Sequence, residues 1–160
     1  MGLETMLTSY ALYKLVHLTA VLLFLGNVSL GLFWVAHAQR SGDARLIAHA
    51  MDGVIRADRW FTWPGVAFLV IGGLAAAISG KLPLLRTGWI ATSIALLSIS
   101  GLVFAVSLAP LQRKIVLYAS ASTPDPAQLT ALLHRWHAVG WLSLAPLWLA
   151  VAAMVLKLPS

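Results

Sequence analysis

Four uninterrupted apolar stretches constrain this chain more than any other feature. Leu15–Ala36, Phe61–Gly80, Gly88–Leu111 and Ala138–Leu156 occupy more than half of the 160 residues, and His17 is the one ionisable side chain inside them. Each has the length of about 20 residues that carries a helix across a bilayer core. The runs lack the period-2 alternation of a membrane barrel, which removes the strand alternative. The expected fold is therefore all-α: a four-transmembrane-helix bundle forming a single integral membrane domain over residues 1–160. Only 10% of the residues are charged, too few to cover a water-facing surface. The chain has no cysteine, so disulfides, thiolate metal sites, iron–sulfur clusters and Cys nucleophiles are excluded.

The first stretch approaches an A-x-A sequence at Ala36-His37-Ala38. Its apolar part is longer than a signal-peptide core and Met1–Tyr13 carries no basic residue before Lys14, so it reads as an uncleaved helix. Arg40, Arg45, Arg56, Arg59, Arg113, Lys114 and Arg135 flank one side of the four spans; Lys14, Lys81, Arg86 and Lys157 flank the other. The richer side is expected to be cytoplasmic. That puts a multi-pass protein in a bacterial inner membrane with both termini outside. The net charge of +6 belongs to these membrane edges, where basic side chains meet headgroups. No nucleic-acid partner is expected; the lipid bilayer is, and homo-oligomerisation stays open.

Between the first two spans, Leu46, Ile47, Met51, Val54 and Ile55 recur at helical spacing within Asp43–Asp58. This is a short cytoplasmic amphipathic helix, or an extension of the second span. The Lys81–Thr87 link is short, which makes helices 2 and 3 antiparallel neighbours. A kink is expected at Pro110. Asp125-Pro126-Ala127-Gln128 places Asp at the N-cap of helix 4, Pro at N1 and Gln at N3. Gly65, Gly72, Gly73 and Ser79 on helix 2 mark close helix packing or room for a flat cofactor. Trp34, Trp60, Trp63, Tyr118 and Trp136 on one side, and Tyr10, Tyr13, Trp89 and Trp148 on the other, read as an interface belt.

No hydrolase elbow, phosphate loop or zincin motif is present. All five acidic residues (Glu4, Asp43, Asp52, Asp58, Asp125) fall outside the apolar runs, which argues against transport through a buried carboxylate. Histidine remains. His17 is either a neutral side chain bonded to a neighbouring helix or a metal ligand. Asn27 reads as a hydrogen-bonding residue between helices. His134 and His137, three residues apart on one helix face, are either solvated or the paired ligands of a metal site completed by His37 or His49.

A resemblance enters through Tyr13-Lys-Leu-Val-His17, Leu108-Ala-Pro-Leu-Gln112-Arg-Lys, and Arg135-Trp-His-Ala-Val-Gly140 through Met154-Val-Leu-Lys157-Leu-Pro159. These resemble the bacterial predicted integral membrane proteins of domain-of-unknown-function family 2269, over nearly the whole chain. The resemblance implies four helices and no settled activity. More distantly, Lys14-x-x-His17 followed by Leu32-Phe33 is similar to the first helix of the protoporphyrinogen oxidase J group and the copper-resistance D membrane proteins. The oxidase group implies haem b with His17 as its ligand. That group's lysine shortly after a helix 3 tryptophan is missing here, where Ile90, Ala91 and Thr92 follow Trp89, so the oxidase reaction does not carry over.

The leading expectation is a small membrane b-type haem-binding redox protein that meets a quinone or another redox partner. His17 ligates the iron. Met154 supplies the second axial ligand or the sixth position is open. Gly72, Gly73 and Gly80 leave room for the porphyrin, and Lys14, Lys81 and Arg86 pair with its propionates. A haem-dependent membrane oxidoreductase is one form of this reading. The alternatives are a cofactor-free membrane subunit or assembly factor, and a small-solute or metal-ion transporter.

Overall fold

The structure, a computed structural model, describes residues 3–159, with side chains from Leu7 to Pro159. All regular elements among the described residues are helical. Helix α1 spans Leu3–Gln39, α2 Ala44–Ala57, α3 Trp63–Ser79, α4 Gly88–Val103, α5 Ala109–Ala119 and α6 Pro126–Leu156. A π-helical turn at Asp58–Thr62 joins α2 to α3, and a second at Phe104–Leu108 joins α4 to α5. The six helices therefore form four continuous rods, each long and apolar enough to cross a membrane. The 37 residues of α1 make a rod of about 55 Å at 1.5 Å per residue, well beyond a hydrocarbon core of about 30 Å.

Local sequence explains where the rods start and bend. Asp43 caps α2 by accepting from the Arg45 amide at 2.8 Å. Asp125 caps α6 by accepting from the Ala127 amide at 3.0 Å, with Pro126 behind it, as the N-cap motif requires. Gln128 does not reach back to complete a capping box; its Oε1 accepts from the Tyr118 hydroxyl at 2.6 Å, tying α5 to α6. Each π-turn ends just before a proline, Pro64 and Pro110. Proline has no amide hydrogen and its ring crowds the preceding turn; here one wider turn absorbs that misfit. Pro64 thus lies inside a rod that began at Ala44.

The segment between the first two spans does not stand apart. It runs unbroken into the second rod, and its Ile47, Ala48, Ala50, Met51 and Val54 are buried. They join Val35, Leu111, Ile115, Leu129, Leu133 and Trp136 in one core. This core fills the half of the bundle next to the 40–43 and 120–125 turns, called the loop end below. Trp136, expected in the interface belt, is 1% exposed within it. Trp34, Trp60 and Trp63 are exposed.

Towards the opposite end, where the chain termini and the 80–87 link lie, the rods pack in pairs. Helix α1 runs along α3 and α4 along α6. The short 81–87 link does not make α3 and α4 packing partners, because their small residues face elsewhere. A Cβ on Gly65 would lie 3.3 Å from the Phe24 Cβ, and one on Gly72 3.0 Å from the His17 backbone nitrogen. Both glycines thus serve the α1–α3 seam. On α4, Ser93 Oγ donates to the Ala150 carbonyl at 3.2 Å and Ser100 Oγ to the Ser143 carbonyl at 2.7 Å. Those bonds close the α4–α6 seam. Leu22, Ile71, Leu102 and Leu149 remain on the outside, all more than half exposed. Such an apolar exterior suits lipid contact and no aqueous one.

Candidate functional site

Besides the serines of the α4–α6 seam, two polar stations lie between the rods among the described residues. The first is His17, half-buried on α1. Its Nδ1 lies 2.7 Å from the Leu69 carbonyl oxygen on α3. A carbonyl can only accept, so Nδ1 carries a proton, and in the neutral ring the lone pair is then on Nε2. Gly73, one turn beyond Leu69, makes this possible: a Cβ there would stand 2.8 Å from Nδ1. The Gly72 position is filled by the α1 backbone and the Gly80 position by the Tyr10 ring, 3.1 Å from a notional Cβ. The three glycines expected to make room for a porphyrin are therefore closed over by α1.

The other residues foreseen around His17 are not gathered at it. Met154 is half-buried on α6, which packs along α4 while His17 faces α3. Lys14 and Arg86 are exposed near the same end. The Lys14 ammonium sits 5.8 Å from the Tyr10 ring centroid, a cation–π distance.

The second station was not foreseen. Asp58 opens the first π-turn and is 6% exposed. Its Oδ1 accepts from the Thr62 hydroxyl at 2.8 Å and from Asn27 Nδ2 at 3.3 Å. Asn27 Nδ2 also donates to Thr62 Oγ1 at 3.0 Å. The other oxygen, Oδ2, accepts from Gln112 Nε2 on α5 at 2.9 Å. Three rods thus meet at one carboxylate through neutral donors. The one ion pair among the described residues lies elsewhere, on the surface between Arg56 and Asp52 at 2.8 Å. Asp58 lies outside the apolar runs, yet it is buried inside the bundle, so the ends of those runs do not mark where burial ends. Asn27 does bond across helices, as expected.

One signal in the sequence pointed here. Asp58 follows Val54 and Ile55 at the spacing of one helix turn and falls on the buried stripe of the second rod. Its partners Asn27 and Gln112 are 31 and 54 residues away, and no spacing rule joins them.

The loop-end histidines are arranged more loosely. His134 and His137 share an open groove with Ala36, Gln39 and Arg40. His37 stacks on Phe33 and Trp34 instead, and His49 is exposed on α2. Among the described residues no three His, Cys, Asp or Glu side chains come together as a metal site.

No curated protein and no solved structure matches the chain. A family described as predicted integral membrane protein, DUF2269, matches residues 11–158. With four membrane-length rods already described, that match over nearly the full length places the chain in the DUF2269 family of integral membrane proteins.

Proposed function

We propose that this multi-pass membrane protein is a small b-type haem-binding redox protein in which His17 would hold the iron. One observation carries the reading: the 2.7 Å contact from His17 Nδ1 to the Leu69 carbonyl. Metal-ligating histidines commonly donate their second ring nitrogen to a carbonyl, which fixes the tautomer and aims the free lone pair. The donor set at His17 fits a haem in this respect. The closed glycine face does not supply a cradle, so the haem would be held through His17 Nε2 alone on this helix pair. With Met154 on the α4–α6 pair, ligation by His17 alone is the form that the packing favours. Lys14 and Arg86 supply cations at that end for propionates. Bound haem would supply one-electron chemistry, and a membrane quinone or another redox protein would exchange the electron.

The experiment is a Soret spectrum of protein purified from haem-replete cells, compared with His17→Ala and Met154→Leu. The expected result is a stoichiometric band lost only in His17→Ala. Loss or a shift in both variants would restore Met154 as a ligand. A band that survives His17→Ala, or a wild type that stays colourless after haem addition, overturns the reading.

A cofactor-free membrane subunit or assembly factor is the second reading, and the closure of Gly72, Gly73 and Gly80 by α1 favours it. In either case we place the protein in a bacterial inner membrane with both termini outside, because the loop end carries seven of the eleven Lys and Arg. Cysteines introduced at positions 3 and 121 test this. From outside intact cells, position 3 is expected to label and position 121 to stay protected. The opposite pattern reverses the orientation.

A further inference from the structure

Between the two π-turns lies a small cavity of about 20 Å³, whose polar lining is Asn27, Asp58, Gln112 and Trp136. The apolar remainder of its wall includes Val28 and Val54. The Trp136 indole N–H has no acceptor, although the residue is 1% exposed. The carbonyl oxygens of Asn27 and Gln112 accept no hydrogen bond among the described residues. A buried donor left without a partner costs free energy, and here its residue lines the same cavity as Asn27 and Gln112.

We infer that this cavity binds one water molecule, which accepts from Trp136 Nε1–H and donates to Asp58 Oδ2 and to the Gln112 or Asn27 carbonyl. The volume selects the size of the occupant, since about 10–15 Å³ of this measure is needed for one water. The polar groups select its chemistry. A metal ion or an ammonium has no lone pair for the indole N–H. An anion would be set against the Asp58 carboxylate. Only an occupant that both accepts and donates satisfies the wall, and three hydrogen bonds is the usual number for an internal water.

The water has a structural consequence. Asn27, Asp58 with Thr62, and Gln112 already join three rods. The water adds the fourth, through Trp136 on α6. The loop half of the bundle then has a polar lock spanning all four rods, placed where both π-turns widen the helices.

Ultraviolet resonance Raman spectroscopy of the full-length protein in detergent tests this. The wild type minus Trp136→Phe difference isolates Trp136 from the other six tryptophans. The indole mode that responds to N–H hydrogen bonding is expected at its bonded position. In Val54→Ile the added methylene takes the water's space, and the mode is expected to move to the free N–H position. Val28→Ile fills the cavity from α1 if Val54→Ile does not fold. A free N–H position in the wild type overturns the proposal, as does a bonded position unchanged in the filled variant. If Trp136→Phe does not fold, a high-resolution crystal structure of the wild type decides the matter. Density within hydrogen-bonding distance of Trp136 Nε1 supports the water, and an empty cavity overturns it.

Discussion

Replacing Asp58 by alanine is expected to destabilise the bundle by about 2–4 kcal/mol, read from unfolding by added SDS in mixed micelles and followed by far-ultraviolet circular dichroism. The magnitude comes from the partners that the carboxylate leaves behind. Gln112 Nε2 loses its acceptor, and so does the Thr62 hydroxyl. Each buried donor left unpaired costs about 1–3 kcal/mol. Asn27 loses less, because Nδ2 keeps its bond to Thr62 Oγ1 at 3.0 Å. Asp58→Asn separates shape from chemistry. It keeps the volume but turns one acceptor into a donor, so either Gln112 or the Thr62–Asn27 pair meets a donor. A loss of about half the alanine effect is expected. Half-buried Asp52, paired with the exposed Arg56 on the surface, provides the control, since surface i,i+4 pairs contribute about 0.3–0.5 kcal/mol. If Asp58→Ala and Asp52→Ala cost the same, the polar cluster does not hold the bundle together.

The contrast between Asp58 and the apolar spans shows which parts of this protein can be read from its sequence. Four rods follow from a one-dimensional fact: in a bilayer every backbone polar group must be satisfied within its own segment, so long charge-free runs become helices. The α6 cap was equally legible, because Asp125, Pro126 and the Ala127 amide are neighbours in the chain. Pairing was harder. A short link joins α3 to α4, but Gly65 and Gly72 present their bare faces to α1 and Ser93 and Ser100 turn to α6. Which side a small residue faces depends on helix rotation, and composition does not contain it. The π-turns compound this. Each inserts an extra residue into a helical turn and rotates the rest of the rod, so a stripe counted at α-helical spacing loses its register beyond Asp58–Thr62 and beyond Phe104–Leu108. His17 was legible as the lone ionisable group in an apolar run. Its carbonyl partner was not, since Leu69 lies 52 residues away.

Trp136 and Trp148 provide the sharpest test of how such a bundle is stabilised. Both sit on α6, and by composition they are interchangeable. Trp136 is 1% exposed and packs in the loop-end core with Met51, Ile115 and Leu133, while Trp148 is 53% exposed on the outside of the same helix. In water, burying an aromatic ring gains free energy by removing it from solvent. In a bilayer that gain is largely absent, because lipid tails are as apolar as the core. What remains is packing: the many close contacts that a buried ring makes, and the void that its loss leaves. Trp136→Ala is therefore expected to cost about 2–3 kcal/mol, less than the ~3–5 kcal/mol of a core in a water-soluble protein, because only the void and the lost contacts remain. Trp148→Ala removes a ring of the same size, but lipid chains fill the space, and its cost is expected to stay below about 1 kcal/mol. The same SDS titration measures both, with circular dichroism confirming that the helical content of each folded variant is unchanged. Equal losses at the two positions would mean that the packing of Trp136 in the loop-end core does not hold the bundle together.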